Sequence, residues 1–117
     1  MKYNDNNIFA QIIDKKLPTK IILENEYAIA FNDIAPQAPI HVLIIPKGKY
    51  VKYDDFIKTA SKDEIYHFFK LINQLVKDYD LEKTGYRLIT NAGRNANQEV
   101  LHLHFHLLAG KNLGKML

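Results

Sequence analysis

Three imidazoles alternate with apolar residues in the run Leu101-His102-Leu103-His104-Phe105-His106-Leu107-Leu108. On a β-strand alternate residues share a face, so His102, His104 and His106 would line up about 7 Å apart, with Leu101, Leu103, Phe105 and Leu107 turned toward a core. A helix would scatter the same residues around its axis and leave the strict alternation without purpose. Imidazoles stacked along a strand repel when protonated and have no packing reason to be there, so the pattern points to an active-site face. Zinc is the rival occupant, because imidazole is its commonest neutral ligand and three imidazoles plus water make a catalytic site. Geometry argues against it: a metal needs its nitrogens within about 2.1 Å of one point, which two positions on a strand can supply and a third only under strain.

The elements that must hold such a face are bounded by composition. With 117 residues and 47% apolar content, the chain reads as a single domain over residues 1–117 with a core of its own. Seven Tyr and six Phe supply the aromatics, and Trp and Cys are absent. Lack of cysteine excludes disulfides, thiolate metal sites and a cysteine nucleophile, and it fits a reducing cytoplasm, the expected location. The polar start Met1-Lys2-Tyr3-Asn4-Asp5-Asn6-Asn7 leads into no long apolar stretch, so neither a signal peptide nor a membrane span is expected. A net charge of +3 with scattered lysines suits no nucleic-acid partner; Lys47, Lys49 and Lys52 read as a solvated loop, and a small anionic substrate remains compatible.

Along the chain, Ile8-Phe9-Ala10-Gln11-Ile12-Ile13 has the spacing of a short amphipathic helix that ends by Leu17-Pro18. Lys20–Leu23 and Tyr27–Phe31 read as a hairpin about the turn Glu24-Asn25-Glu26. Asn32–Pro39 is a loop pinned by two prolines, and Ile40–Pro46 is apolar enough for a central strand. Ser61-Lys62-Asp63-Glu64 is a capping box for one long helix whose stripe is Ile65, Phe68, Phe69, Ile72, Leu75, Val76 and Tyr79, with His67 outside it at the surface. Tyr86–Thr90 reads as a strand, and the polar loop Asn91–Gln98 delivers the chain into the histidine run. Antiparallel strands with helices to one side predict an α+β fold, a sheet of about five strands with one long and one short helix.

These blocks resemble the histidine-triad (HIT) superfamily, whose signature alternates histidine and hydrophobic residues as in His102–Leu108. Ile8-Phe9, Phe31–His41, Ile45-Pro46-Lys47, Asn91-Ala92-Gly93 and Gln98-Glu99-Val100 look like its HINT branch, and Leu108-Ala109-Gly110-Lys111 departs from the proline and arginine usual in the Fhit-like branch. The resemblance implies a HIT-like fold and hydrolysis of purine nucleoside phosphoramidates through a nucleotidylated histidine. It makes His104 the nucleophile, which splits one difficult displacement into two easier ones. A neutral imidazole with a free lone pair suits that role near pH 7. His102 would orient His104 through its main-chain carbonyl, His106 would bind phosphate, and His41 would support the network.

By the same resemblance, Asp33 accepts the ribose hydroxyls, and Asn91 with the backbone around Asn97, Gln98 and Glu99 donates to phosphoryl oxygens. Ile8, Phe9, Ile12, Phe31 and Ile34 match the apolar slot for the purine. Asn97 stands where glycine is usual and tolerates positive φ. Glu99 replaces a serine of eukaryotic relatives, and a carboxylate there would repel phosphate unless turned away, leaving its N–H as the donor. No cofactor is called for and zinc is disfavoured. The expected partners are a purine nucleotide and a second copy of the chain, with no membrane. The alternatives are a dinucleoside-polyphosphate hydrolase and a non-catalytic nucleotide-sensing module.

Overall fold

A computed structural model describes residues 2–117. Five antiparallel strands, β1 (Ile21–Glu24), β2 (Ala28–Asn32), β3 (Ile40–Pro46), β4 (Arg87–Ile89) and β5 (Phe105–Ala109), form one sheet in the order β1-β2-β3-β5-β4. The first hairpin turns at Asn25, whose Oδ1 accepts the N–H groups of Tyr27 at 2.8 Å and Ala28 at 2.9 Å. Four helices accompany the sheet: α1 (Ile8–Ile13), α2 (Tyr53–Thr59), α3 (Lys62–Asp78) and α4 (Leu81–Thr84). Among the described residues no helix is long and apolar enough to cross a membrane.

Local chemistry explains where the helices begin. Asn7 caps α1 by accepting Ala10 N–H at 2.9 Å. The capping box of α3 closes both ways, Glu64 N–H donating to Ser61 Oγ at 3.1 Å and Ser61 N–H to Glu64 Oε1 at 3.0 Å. The buried stripe of α3 is Phe68, Leu71, Ile72, Leu75 and Val76. It differs from the expected stripe by including Leu71 and by leaving Phe69 and Tyr79 over a third exposed. His67 lies outside the buried stripe, as expected, and is half-buried with its ring stacked on Tyr27 at 5.5 Å.

The strands sort their side chains by parity. Ala28, Ala30, Val42, Ile44, Phe105, Leu107 and Ala109 pack with Phe56 of α2 and the α3 stripe in the larger core. Ile29, Phe31, Leu43 and Ile45 take the opposite face and pack with Phe9 and Ile12 of α1. Register sets Leu43 against His106 and Val42 against Leu107, so β5 joins the same two faces.

The histidine run departs from the expected strand over Leu101–Leu108. Pairing begins only at Phe105, opposite Ile44, and residues 101–104 lie outside the sheet. Continued register would set Leu103 against Pro46, which has no N–H to give. The backbone there is satisfied otherwise: Leu103 N–H donates to Tyr50 O at 2.7 Å, and His104 O accepts from Thr90 Oγ1 at 2.8 Å.

Candidate active site

Four imidazoles gather on the α1 side of the sheet. His102 is 0% exposed, His41 4% and His104 8%, with His106 half-buried beside them. The rings of His104 and His106 lie 5.2 Å apart, closer than the roughly 7 Å of a regular strand where residues 102–104 leave it, and His41, reaching over from the neighbouring β3, sets its ring 5.1 Å from His106. Phe9 sets its ring edge-on to His104 at 4.9 Å and to His102 at 6.2 Å.

Hydrogen bonds fix every tautomer. His104 Nδ1 lies 2.8 Å from His102 O, an acceptor, so Nδ1 carries the proton and Nε2 keeps its lone pair. His102 Nε2 lies 2.8 Å from Pro46 O and must likewise carry the proton, leaving Nδ1 to accept from the Tyr3 hydroxyl at 2.6 Å. His41 Nδ1 accepts Gln37 N–H at 3.0 Å, which places its proton on Nε2. That proton points at His106 Nδ1, 2.9 Å away, with Asp33 Oδ2 at 3.4 Å. His106 therefore presents an N–H at Nε2.

For His102, His104 and His106 the electrostatics favour the neutral ring. Burial lowers His102 to about 4, helped by the neighbouring His104. Burial also lowers His106 to about 4, with His104 and His41 adding to the effect. His104 is lowered too, chiefly by burial, while its bond to the His102 carbonyl opposes the shift. A neutral nucleophile with its lone pair free is thus favoured over the protonated ring.

Asp33, His41 and His106 could together hold a metal ion, since their ligand atoms lie within 4.8 Å of one another. The tautomers oppose it. An ion would need the lone pair of His41 Nε2, which bears the proton for as long as Nδ1 accepts from Gln37. Within the histidine triad only His104 Nε2 keeps an uncommitted lone pair, since His102 Nδ1 accepts from the Tyr3 hydroxyl and His106 Nδ1 from His41 Nε2–H.

The remaining expected residues divide. Phe9, Ile12 and Phe31 form a buried apolar cluster next to the imidazoles, Ile8 is half exposed, and Ile34 is 97% exposed. Asp33 sits at the rim with Oδ1 accepting Ala35 N–H at 2.8 Å. Asn97 has φ 57°, the left-handed conformation that its sequence position called for. Its N–H closes the turn Arg94–Ala96 on Arg94 O at 3.0 Å, so that amide is not a free donor. Gln98 spends its side chain on the loop, accepting Gly93 N–H at 2.9 Å and donating to Val51 O at 2.6 Å and Val100 O at 3.0 Å. Glu99 is exposed, and its N–H has no partner among the described residues; neither has the side chain of the half-buried Asn91. Tyr3, Thr90 and the Gln37 amide carry the network as well, and only Tyr3 left a trace in the sequence, as the one aromatic in a polar lead.

A cavity of about 590 Å³ lies elsewhere, lined by Thr84, Gly85, Tyr86, Arg87 and Gly110–Gly114. It holds no imidazole, and the four converging rings are the stronger sign of chemistry.

Comparison with known proteins agrees with the geometry. The family model of the HIT domain matches residues 14–113. A HIT-like protein of Rickettsia prowazekii is 51% identical over 111 residues, 95% of this chain and 92% of the relative. A purine nucleoside phosphoramidase of Escherichia coli is 35% identical over 113 residues, covering 97% and 94%. Among solved structures, a HIT family hydrolase from Clostridium thermocellum superposes with a TM-score of 0.84 at 41% identity, covering 97% and 99%. A histidine triad protein from Clostridium difficile gives 0.84 at 35% identity over the whole of both chains.

Proposed function

The chain belongs to the HIT family, and from that premise we propose that it is a hydrolase of purine nucleoside 5′-phosphoramidates acting through a nucleotidylated His104. The observation that carries the proposal is the tautomer of His104, held by the His102 carbonyl with Nε2 free. In the first step that lone pair attacks the α-phosphorus and the P–N bond breaks, the departing nitrogen taking a proton from water to leave as the amine. In the second, water attacks phosphorus, the P–Nε2 bond breaks, and the nucleoside monophosphate leaves.

Charge developing on the phosphoryl oxygens would be met by His106 Nε2–H, the Glu99 N–H and the Asn91 amide, the last two without a partner among the described residues. The purine would enter against Phe9, Ile12 and Phe31, and Asp33 at the rim would accept the ribose hydroxyls. No metal takes part in this scheme. The relative from Escherichia coli bears the name of this activity, which supports the substrate class.

The test is hydrolysis of adenosine 5′-phosphoramidate against diadenosine polyphosphate, with and without a strong chelator, paired with mass spectrometry of rapidly quenched enzyme. Expected are chelator-insensitive turnover of the phosphoramidate, a nucleotidyl adduct on His104, and a loss of at least about 10⁴-fold in kcat for His104→Ala with nucleotide affinity nearly retained. Zinc-dependent activity without an adduct would replace the scheme by metal-assisted hydrolysis.

We also propose a homodimer. Leu88 on the edge strand β4 and Tyr66 and Phe69 on α3 are exposed, and an unpaired edge can extend its sheet across a two-fold axis. Sedimentation at micromolar concentration is expected to give twice the chain mass of 13.6 kDa; a monomer would refute it.

A further inference from the structure

One group aimed at the triad has no part in the scheme above: the hydroxyl of Tyr3, 2.6 Å from His102 Nδ1 across 99 residues of sequence. His102 gives its only proton to Pro46 O, so the phenol is the donor. The two rings pack at 5.4 Å. The segment that carries Tyr3 is laced in place. Asp5 pairs with Lys49 at 2.8 Å, Asn7 donates to Asn4 O through its backbone at 3.1 Å and its side chain at 2.8 Å, and Gln11 Nε2 donates to Asn6 O at 2.8 Å. Phe9, further along the same strap, covers His102 and His104.

We propose that Tyr3 is a positioning residue for the nucleophile, acting through His102; the inference rests on His104 being that nucleophile. His102 has no exposed surface, so its Nδ1 lone pair has no water to turn to and depends on the phenol. A ring deprived of that donor relieves itself by shifting, and the shift is shared by its own backbone carbonyl. That carbonyl holds His104 Nδ1–H at 2.8 Å and thereby aims Nε2. The path from Tyr3 to the attacking nitrogen therefore runs through one buried ring and one hydrogen bond. Burial also holds the phenol above its ordinary range, which keeps it a donor at neutral pH.

Tyr3→Phe removes the donor and keeps the ring. The expected result is a fall of roughly tenfold in kcat with KM within about twofold, because ground-state contacts to the nucleotide are untouched. Nitrogen-detected NMR of the imidazoles is expected to show a displaced His102 Nδ1 resonance and faster exchange of the His104 Nδ1 proton. Lys49→Gln, which loosens the strap without touching a histidine, is expected to move both readouts the same way by a smaller amount, and it decides the matter if Tyr3→Phe fails to fold. Wild-type kcat in Tyr3→Phe overturns the proposal. So does a lower kcat accompanied by a lower melting temperature and an unchanged His104 Nδ1 proton, which is the signature of a structural role alone. Should the wild type not cleave the phosphoramidate, the reading of function falls, while the His104 proton still reports whether Tyr3 holds it.

Discussion

Leu103, Phe105, Leu107 and Ala109 turn to the α3 side of the sheet, and His102, His104 and His106, from the same eight residues, turn to the other. Both sides bury most of these side chains. On the first, a residue need only fill space against Phe56, Phe68 and the rest of the α3 stripe, and exchange of one apolar group for another of similar volume costs little. On the second, each buried ring nitrogen needs a partner of the right polarity, and one wrong proton breaks the set. The lesson is that burial has two forms in this small domain: one tolerant in chemistry and strict in volume, the other the reverse.

Acid should separate the two sides most sharply. His102 and His106 are held down to about 4 by burial, so between their ordinary pKa and that value the unfolded chain binds protons that the folded one does not. Stability is full above pH 6.5, falls as pH drops toward 4, and for His102 alone the loss is on the order of 3 kcal/mol, with the partly exposed His106 adding less. Urea midpoints measured at pH 7, 5.5 and 4.5 check this; a flat profile would mean that the imidazoles are not buried neutral. The acid limb of kcat/KM should likewise lie below pH 6.5, following the lowered His104.

On the apolar side, Leu107→Ala should cost about 3 kcal/mol of stability through the cavity it leaves. Activity per folded molecule should be near wild type. A matching loss of kcat at a temperature where the variant is folded would show that the two sides are mechanically coupled through β5.

The smallest effect is expected in the loop before the run. Asn97 sits at φ 57°, so Asn97→Ala should cost about 1 kcal/mol and Asn97→Gly almost nothing. Equal melting temperatures for all three would show that the loop relaxes freely.

Much of the molecule was legible in sequence because its signals are local. The stripe of α3, its capping box and the apolar run of β3 each depend on residues a few positions apart, and β3 spans Ile40–Pro46 as read. α2 carries no legible signal in the sequence, because Phe56 alone of its seven residues is fully buried, too little for a visible period. Likewise α4 has four residues with only Leu81 buried. Alternation around the triad predicts eight residues of strand, but a strand also needs a partner, and alternation carries no signal of whether Pro46 or Ile44 stands opposite. The chemistry of the imidazoles was legible as a cluster on one face. Their tautomers were not, since Pro46, Gln37 and Tyr3 supply the fixing groups from distant segments. Gln98 and Asn97 read as nucleotide contacts by resemblance, whereas in the fold Gln98 and the Asn97 amide stabilise their own loop.

Where β5 stops pairing, the imidazole of His102 reaches across to the carbonyl at the end of β3, doing for Pro46 what a peptide N–H would do in a continued ladder. The side chain is a surrogate main chain. It extends the sheet's bonding by one contact while releasing its own backbone from the ladder, and the released carbonyl is the one that grips His104. A regular strand at this place would have committed that carbonyl to its neighbour and left the nucleophile unheld, so the reactive geometry is a by-product of ending the sheet with a ring instead of an amide.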